Sequence, residues 1–330
     1  MKSEVKGYTA APIPDPAAVG LIGVLLGGPS AEREISLKSG RAVSRALREA
    51  GYRVVEIGEK EEIEAGIRFQ RPAAAFISLH GRYGEDGEVQ RLLEEMDIPY
   101  TGSGIEASRR AMDKVESRRI FAAAGLSVPP GRVYGPDLVP GSPPFPFPVV
   151  VKPAREGSSI GLSLVRGPEE FAPAVKRARE HDREILVEEY IPGRELTAGI
   201  LDDRPLPLVE IKPGNPFFDF EAKYVRGRSE FVVPAPLPPA QYRQAQELGL
   251  AAHRVLGCFS YSRADIIIAA SGRPFLLEVN TIPGFTATSL LPQAAAAAGI
   301  DFPELCRRLL ADALTRGNYR SKETAKEAPD

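Results

Sequence analysis

Short apolar blocks bounded by glycine and proline alternate, in the N-terminal part of the chain, with segments whose apolar positions recur at helical spacing. Leu21 to Leu26 reads as a buried strand, stopped by Gly27, Gly28, Pro29 and Ser30. Ala42, Val43, Ala46, Leu47 and Ala50 then repeat with a helical period, with Ser36 as the expected N-cap and Gly51 as the closing glycine. Arg53 to Ile57 and Ala74 to Leu79 are further strand-like runs. Strands alternating with helices predict a parallel sheet whose ligand loops lie at the carboxyl ends of its strands.

The segment Gly135 to Pro148 holds six prolines and two glycines, so it forms neither helix nor central strand and is expected to join two substructures. After it come a strand ending at Lys152, a strand Leu162 to Val165, a helix from Pro168 to about Glu180 and a strand Ile185 to Tyr190, a compact α+β unit. Beyond Arg204 the pattern predicts strands, an irregular stretch around Gly214 to Arg228, and a helix from about Ala240 to Leu256. Two strands follow, Ser260 to Ala269 and Pro274 to Asn280, joined by the hairpin signal Ala270 to Arg273. Asp301 to Glu304 resembles a capping box, and Leu305, Leu309, Leu310 and Leu314 form the core stripe of a last helix. Gly317 is expected to end that helix and to begin a polar, disordered tail.

A length of 330 residues, at roughly 100 to 150 residues per domain, predicts two or three domains. The net charge of -2 gives no electrostatic footprint for nucleic acid. Lys2 and Lys6 are mixed with Glu4, Asp15 and three prolines, without the apolar core of a signal peptide. Nor does any apolar run approach the ~20 residues of a membrane span. Cys258 and Cys306 lie far apart and read as buried thiols rather than a disulfide framework or a zinc site.

Residues two apart on a strand share a face, so Arg263 and Asp265 form one polar face and Glu278 with Asn280 another, while Leu277 and Val279 point away. If the two faces coincide, two carboxylates, an amide oxygen and a guanidinium converge, and such hard oxygen donors suit Mg2+. A solvated strand face fits the same residues equally well. Lys152 precedes a small-residue loop, Pro153 to Gly161, whose N–H groups can cradle phosphate or simply form a hairpin turn. No Walker A loop occurs anywhere in the chain, and no G-x-G-x-x-G follows the first strand. Glu32, Lys114, Glu188, Glu195 and Lys223 lie beside apolar strands and read singly as surface charges.

Taken in order, LLGGPSAEREISLKSG (25–40), LHGRYGEDGEVQ (79–90), YTGSGIEAS (100–108), MDK (112–114), VKPAREGSSIG (151–161), EEYIPGRE (188–195), FFDFEAKY (217–224), RAD (263–265) and LLEVNTIPGFTATSL (276–290) resemble the D-alanine:D-alanine ligases of the ATP-grasp superfamily. The resemblance runs from about Leu21 to Leu314. It implies a three-domain ATP-grasp architecture, α/β and α+β, with an N-terminal parallel-sheet, Rossmann-like domain. The expected divisions are an extension (1–20), the N-terminal substrate domain (21–115), a central domain (116–203), a C-terminal metal-binding domain (204–317) and a flexible tail (318–330).

By the same resemblance, Lys114 and Lys152 contact nucleotide phosphates beneath the loop of Glu156, Gly157, Ser158 and Ser159. Glu188, Glu189 and Ile191 line the adenine, and Glu195 holds the ribose. Asp265, Glu278 and Asn280 fall on the ligands of Mg2+ (or Mn2+), two ions in the family. The implied reaction phosphorylates one D-alanine with ATP and joins the D-alanyl phosphate to the amine of a second, for peptidoglycan precursors. Arg263 and the Gly284 N–H match the oxyanion hole, and Glu32 the site of the first ammonium. Glu32, Ser158 and Tyr224 match a hydrogen-bonded triad, and Ser289 the site of the second carboxylate. His80 and Lys223 match positions near the reacting carboxylate and γ-phosphate, although His80 also reads as a structural histidine. Ligases that use D-lactate, D-serine or another acceptor are the alternative. Tyr224 favours an amine, because relatives that make D-alanyl-D-lactate usually carry another residue there. Phe218 departs from the tyrosine of many relatives. A cytoplasmic homodimer acting on D-alanine, with no nucleic acid or membrane partner, completes the expectation.

Overall fold

The computed structural model describes residues 12–58, 62–136, 141–213 and 229–326. Strands β1 (Ile22–Leu25), β2 (Val54–Ile57) and β3 (Ala74–Ile77) form a parallel sheet in the order β2-β1-β3. Helices α1 (Arg33–Glu49) and α2 (Ile63–Gln70) make the crossovers. Four consecutive buried positions in β1 and in β3 are what a sheet covered on both faces requires. The turn after β1 depends on glycine: Gly27 has φ 82°, and a Cβ there would lie 2.6 Å from the Gly58 carbonyl oxygen.

Ser36 does not cap α1. It lies inside the helix, accepting from the Gly27 N–H at 2.8 Å and donating to the Ser78 carbonyl at 2.7 Å, so its hydroxyl ties the helix to the ends of β1 and β3. The N-cap position belongs to Glu32, whose side chain leaves the helix end uncapped and is used elsewhere.

Helices α3 (Glu88–Glu95), α4 (Ile105–Met112) and α5 (Lys114–Ala123) lead out of this unit. Asp113 caps α5 through the N–H groups of Val115 and Glu116, which sets Lys114 at the first, buried turn. The central unit contains β4 (Gly131–Tyr134), β5 (Val149–Pro153), β6 (Ser163–Val165), α6 (Pro168–Arg179) and β7 (Ile185–Glu189), an antiparallel sheet in the order β4-β7-β5-β6 with α6 on one face. The proline-rich segment therefore does not join two substructures. It connects β4 to β5, both of which pair with β7 in one sheet.

The C-terminal unit holds β8 (Gly193–Leu201), β9 (Arg204–Pro205), β10 (Val209–Pro213), β11 (Ser229–Val232), α7 (Pro239–Leu256), β12 (Tyr261–Ala269), β13 (Pro274–Asn280), α8 (Leu290–Ala297) and α9 (Phe302–Lys326). Its antiparallel sheet runs β11-β10-β8-β12-β13, with α7 packed behind β8 and β12. The expected capping of α9 is present, with the Glu304 N–H donating to the Asp301 carboxylate at 2.8 Å. The helix does not stop at Gly317 but continues to Lys326. Gly317 is a point of close approach, since a Cβ would lie 2.6 Å from the Pro99 ring, and one glycine inside a helix costs only about 1 kcal/mol. Among the described residues no helix is long and apolar enough to cross a membrane.

Candidate active site

The β12–β13 hairpin brings its polar residues directly opposite one another: Arg263 pairs with Asn280 and Asp265 with Glu278. A bulge follows, because the next pair is Ile266 with Leu276, and it breaks the two-residue rhythm of β13. Leu276 and Val279 are buried against α7, whereas Leu277 and Glu278 both face the cleft. The expected orientation thus holds for Val279 and fails for Leu277. Asp265 accepts two hydrogen bonds from the Arg263 guanidinium, each 2.8 Å. Glu278 lies 3.4 Å from the Lys114 ammonium, and the Asn280 amide oxygen accepts from the Ile282 N–H at 2.9 Å. Two carboxylates and an amide oxygen on one face are a donor set that fits a small, hard divalent cation.

Across the cleft, the face of the central sheet away from α6 presents Lys152 and Glu188 from neighbouring strands. Lys152 and Glu188 pair at 2.6 Å, and Glu188 also takes the Arg118 guanidinium. The loop between β5 and β6 is fastened from several sides. Lys114 Nζ donates to the Glu156 carbonyl at 2.5 Å, and Arg82 pairs with the Glu156 carboxylate at 2.7 Å. Ser158 donates to the Glu32 carboxylate, which lies against Gly81 and Gly157; a Cβ at either glycine would come within 2.9 Å of it. Ser158 and Ser159 adopt φ of 48° and 60°, a conformation uncommon outside glycine and often kept where a loop meets a ligand.

These walls form a cleft lined by Lys114, Lys152, Glu188 to Ile191, Glu195, Asp265 and Glu278. Apolar Val150, Ile160, Ile191 and Leu277 share it, so one part suits a flat ring and the other an anion. A wider cleft opens beside it, lined by Glu32, Gly157, Ser158, Arg263, Asn280, Gly284 and Ser289. Ser289 is the N-cap residue of α8, and its hydroxyl accepts from the Thr286 N–H at 3.0 Å.

His80 is enclosed, at 3% exposure, with both ring nitrogens engaged: Nε2 by Ser39 Oγ at 3.0 Å and Nδ1 by the Ile282 carbonyl at 2.9 Å. Burial pulls its pKa down, but Glu85 and Glu32 outweigh it and hold the imidazole above its ordinary value. Burial likewise raises Glu85. Ser39 also accepts from the Phe285 N–H at 3.1 Å, so Ser39 and His80 together fix the 280–285 loop from below. The geometry therefore matches the structural reading of His80 and puts no face of it in either cleft. Lys223 and Tyr224 lie outside the described residues.

Sequence reasoning missed Ser39, Arg82, Arg118 and Glu85. Ser39 carried a signal, since Ser36 and Ser39 interrupt the buried face of α1 and a buried hydroxyl usually has a partner. Arg118 carried none, because its partners are distant in sequence.

A sequence profile described as the D-ala D-ala ligase C-terminus matches residues 143–311, and one described as the D-ala D-ala ligase N-terminus matches residues 59–103. A protein of Geotalea uraniireducens named D-alanine–D-alanine ligase is 50% identical over 294 residues, covering 88% of this chain and 95% of that protein. The chain belongs to the D-alanine–D-alanine ligase family. A relative of the same name from Geobacter sulfurreducens is also 50% identical, over 295 residues, with 88% and 93% of the two chains covered. The crystal structure of D-alanine–D-alanine ligase from Bacillus anthracis complexed with ATP superimposes with a TM-score of 0.81 at 31% identity, covering 92% of this chain and all of that one. The arrangement of sheets is accordingly the ATP-grasp fold of this family.

Proposed function

We propose that this protein joins two D-alanine molecules at the expense of ATP, giving D-alanyl-D-alanine, ADP and phosphate. The observation that carries the reading is the cross-strand pairing of Asp265 with Glu278 beside Asn280, facing Lys114 and Lys152 across one cleft. ATP lies in the narrower cleft, its base against Val150, Ile191 and Leu277 and its phosphates toward the two lysines. Asp265, Glu278 and Asn280 would hold Mg2+, which would supply positive charge beside the transferring phosphoryl group.

In the wider cleft Glu32 holds the ammonium of the first D-alanine, whose carboxylate oxygen forms a bond to the γ-phosphorus while the bond to ADP breaks. Lys114 and Lys152 offset the charge spread over the phosphoryl oxygens. The uncharged amine of the second D-alanine then attacks the carbonyl carbon of the acyl phosphate. The Gly284 N–H and Arg263 stabilise the developing oxyanion, and as the carbonyl re-forms the C–O bond to phosphate breaks and the nitrogen releases one proton. Ser289, at the start of α8, sits where backbone N–H groups favour the second carboxylate. The hydrogen bond from Ser158 to Glu32 holds the phosphate loop across this cleft while both bonds form.

The test is ADP release measured with and without D-alanine, with dipeptide identified by mass spectrometry and D-lactate and D-serine run as competing acceptors. Turnover is expected with D-alanine alone, and Glu278→Ala is expected to lower kcat by roughly a thousandfold through loss of a metal ligand. Full turnover in Glu278→Ala, or none with D-alanine in the wild type, refutes the proposal.

A further inference from the structure

Arg118 stands on α5, outside every motif that marks the site. One Nη of its guanidinium donates to Glu188 and the other to the Pro129 carbonyl at 2.6 Å. The second oxygen of Glu188 accepts from the Lys152 ammonium at 2.6 Å. The three side chains are nearly enclosed, at 13% exposure for Arg118, 4% for Glu188 and 8% for Lys152. One buried carboxylate is thus divided between two buried cations, so the three side chains together carry one net positive charge.

That excess decides how available Lys152 is. If Glu188 faced Lys152 alone, the two would close into a neutral pair, and an incoming phosphate would have to break it before gaining the lysine. Arg118 takes the other oxygen of Glu188 from behind, so the carboxylate is already half neutralised and the ammonium keeps its attraction for an anion. Gly131, the cross-strand neighbour of Glu188, leaves the space this needs. A Cβ there would lie 2.6 Å from Arg118 Nη2 and 3.2 Å from Glu188 Cγ.

We infer that Arg118 is a positioning residue for the nucleotide phosphates, acting through Glu188 to keep Lys152 free to bind them. The inference rests on the proposed role of Lys152 as a phosphate contact.

Titration of the full-length protein with ADP and with adenosine tests it. Arg118→Met is expected to weaken ADP by about tenfold or more while adenosine changes by less than about twofold. Arg118→Lys, which keeps the charge, is expected to stay within about threefold of the wild type for ADP, and Gly131→Ala to reproduce the loss. In a Lys152→Met background, Arg118→Met should alter ADP binding by less than about twofold. Equal losses for adenosine and ADP overturn the inference, as does an Arg118 effect that persists undiminished without Lys152. Wild-type ADP affinity in Lys152→Met alone refutes the phosphate role of Lys152 and the inference with it, and is recognised by that single variant. Should Arg118→Met not fold by circular dichroism, Gly131→Ala and Arg118→Lys decide the matter by the same two ligands.

Discussion

The N-terminal and central units meet the rest of the molecule in opposite ways. Against the C-terminal unit, the N-terminal sheet makes a continuous apolar core: Phe285 stacks obliquely on Phe76 at 5.6 Å, Tyr261 at 6.0 Å and Phe302 at 5.5 Å. Arg316 locks the same seam, lying 4.7 Å over both Tyr100 and Phe259 while donating to the Gly102 and Tyr100 carbonyls. Among the described residues, the core of the central sheet, by contrast, draws only on those between Tyr134 and Val187. Its loop reaches its neighbours through Ser158 to Glu32, Arg82 to Glu156 and Lys114 to the Glu156 carbonyl. Buried apolar area is insensitive to salt and gives most of the stability, whereas exposed ion pairs contribute little and are screened. One side of the active site is thus built as a fixed wall and the other as a polar contact, in which the Arg82–Glu156 pair is the exposed part that ionic conditions can loosen.

Truncation at the apolar seam should have the largest effect. Phe285→Ala is expected to cost about 3 to 5 kcal/mol in urea unfolding, and a loss below about 1 kcal/mol would mean that the two units do not share a core.

Acid should act next, and inside the C-terminal unit. His253 on α7 is buried and bonded to Ser262 Oγ at 2.7 Å, and burial lowers its pKa to about 4. A histidine kept neutral in the fold takes a proton more readily when unfolded. Its contribution is therefore intact above the unfolded pKa of about 6.5 and falls away as pH drops toward 4. Between pH 8 and pH 5 the wild type should lose roughly 2 kcal/mol that His253→Gln does not lose, judged by chemical denaturation; parallel losses in both would remove His253 from the account.

The smallest effect on stability belongs to the polar seam. Arg82 is 59% exposed, so Arg82→Met should change unfolding by less than about 1 kcal/mol. The same variant is expected to raise the KM for D-alanine about threefold, and 0.5 M salt should do likewise to the wild type but not to the variant. If salt acts equally on both, the contrast between the seams loses its basis.

Much of this organisation was legible in the chain. The polar faces of β12 and β13 follow from alternation alone, as do the extents of α6 and α7 to within a residue or so. What escaped shares a cause. The bulge that turns Leu277 into the cleft adds one residue without any local mark. Ser36 looked like a cap because the strand ends it bonds are supplied by the fold. Gly317 looked like a stop because Pro99, which requires its small size, is remote in sequence. Ser39 and Arg118 likewise act on partners that only tertiary structure brings near.

The irregularity in β13 also sets what kind of change the strand can absorb. Because the offset between Asp265–Glu278 and Ile266–Leu276 depends on a count of residues rather than on their chemistry, losing one there would rotate Glu278 and Asn280 relative to the buried side of the hairpin. Strand β13 is therefore fixed in length as well as in the residues it aims at the cleft.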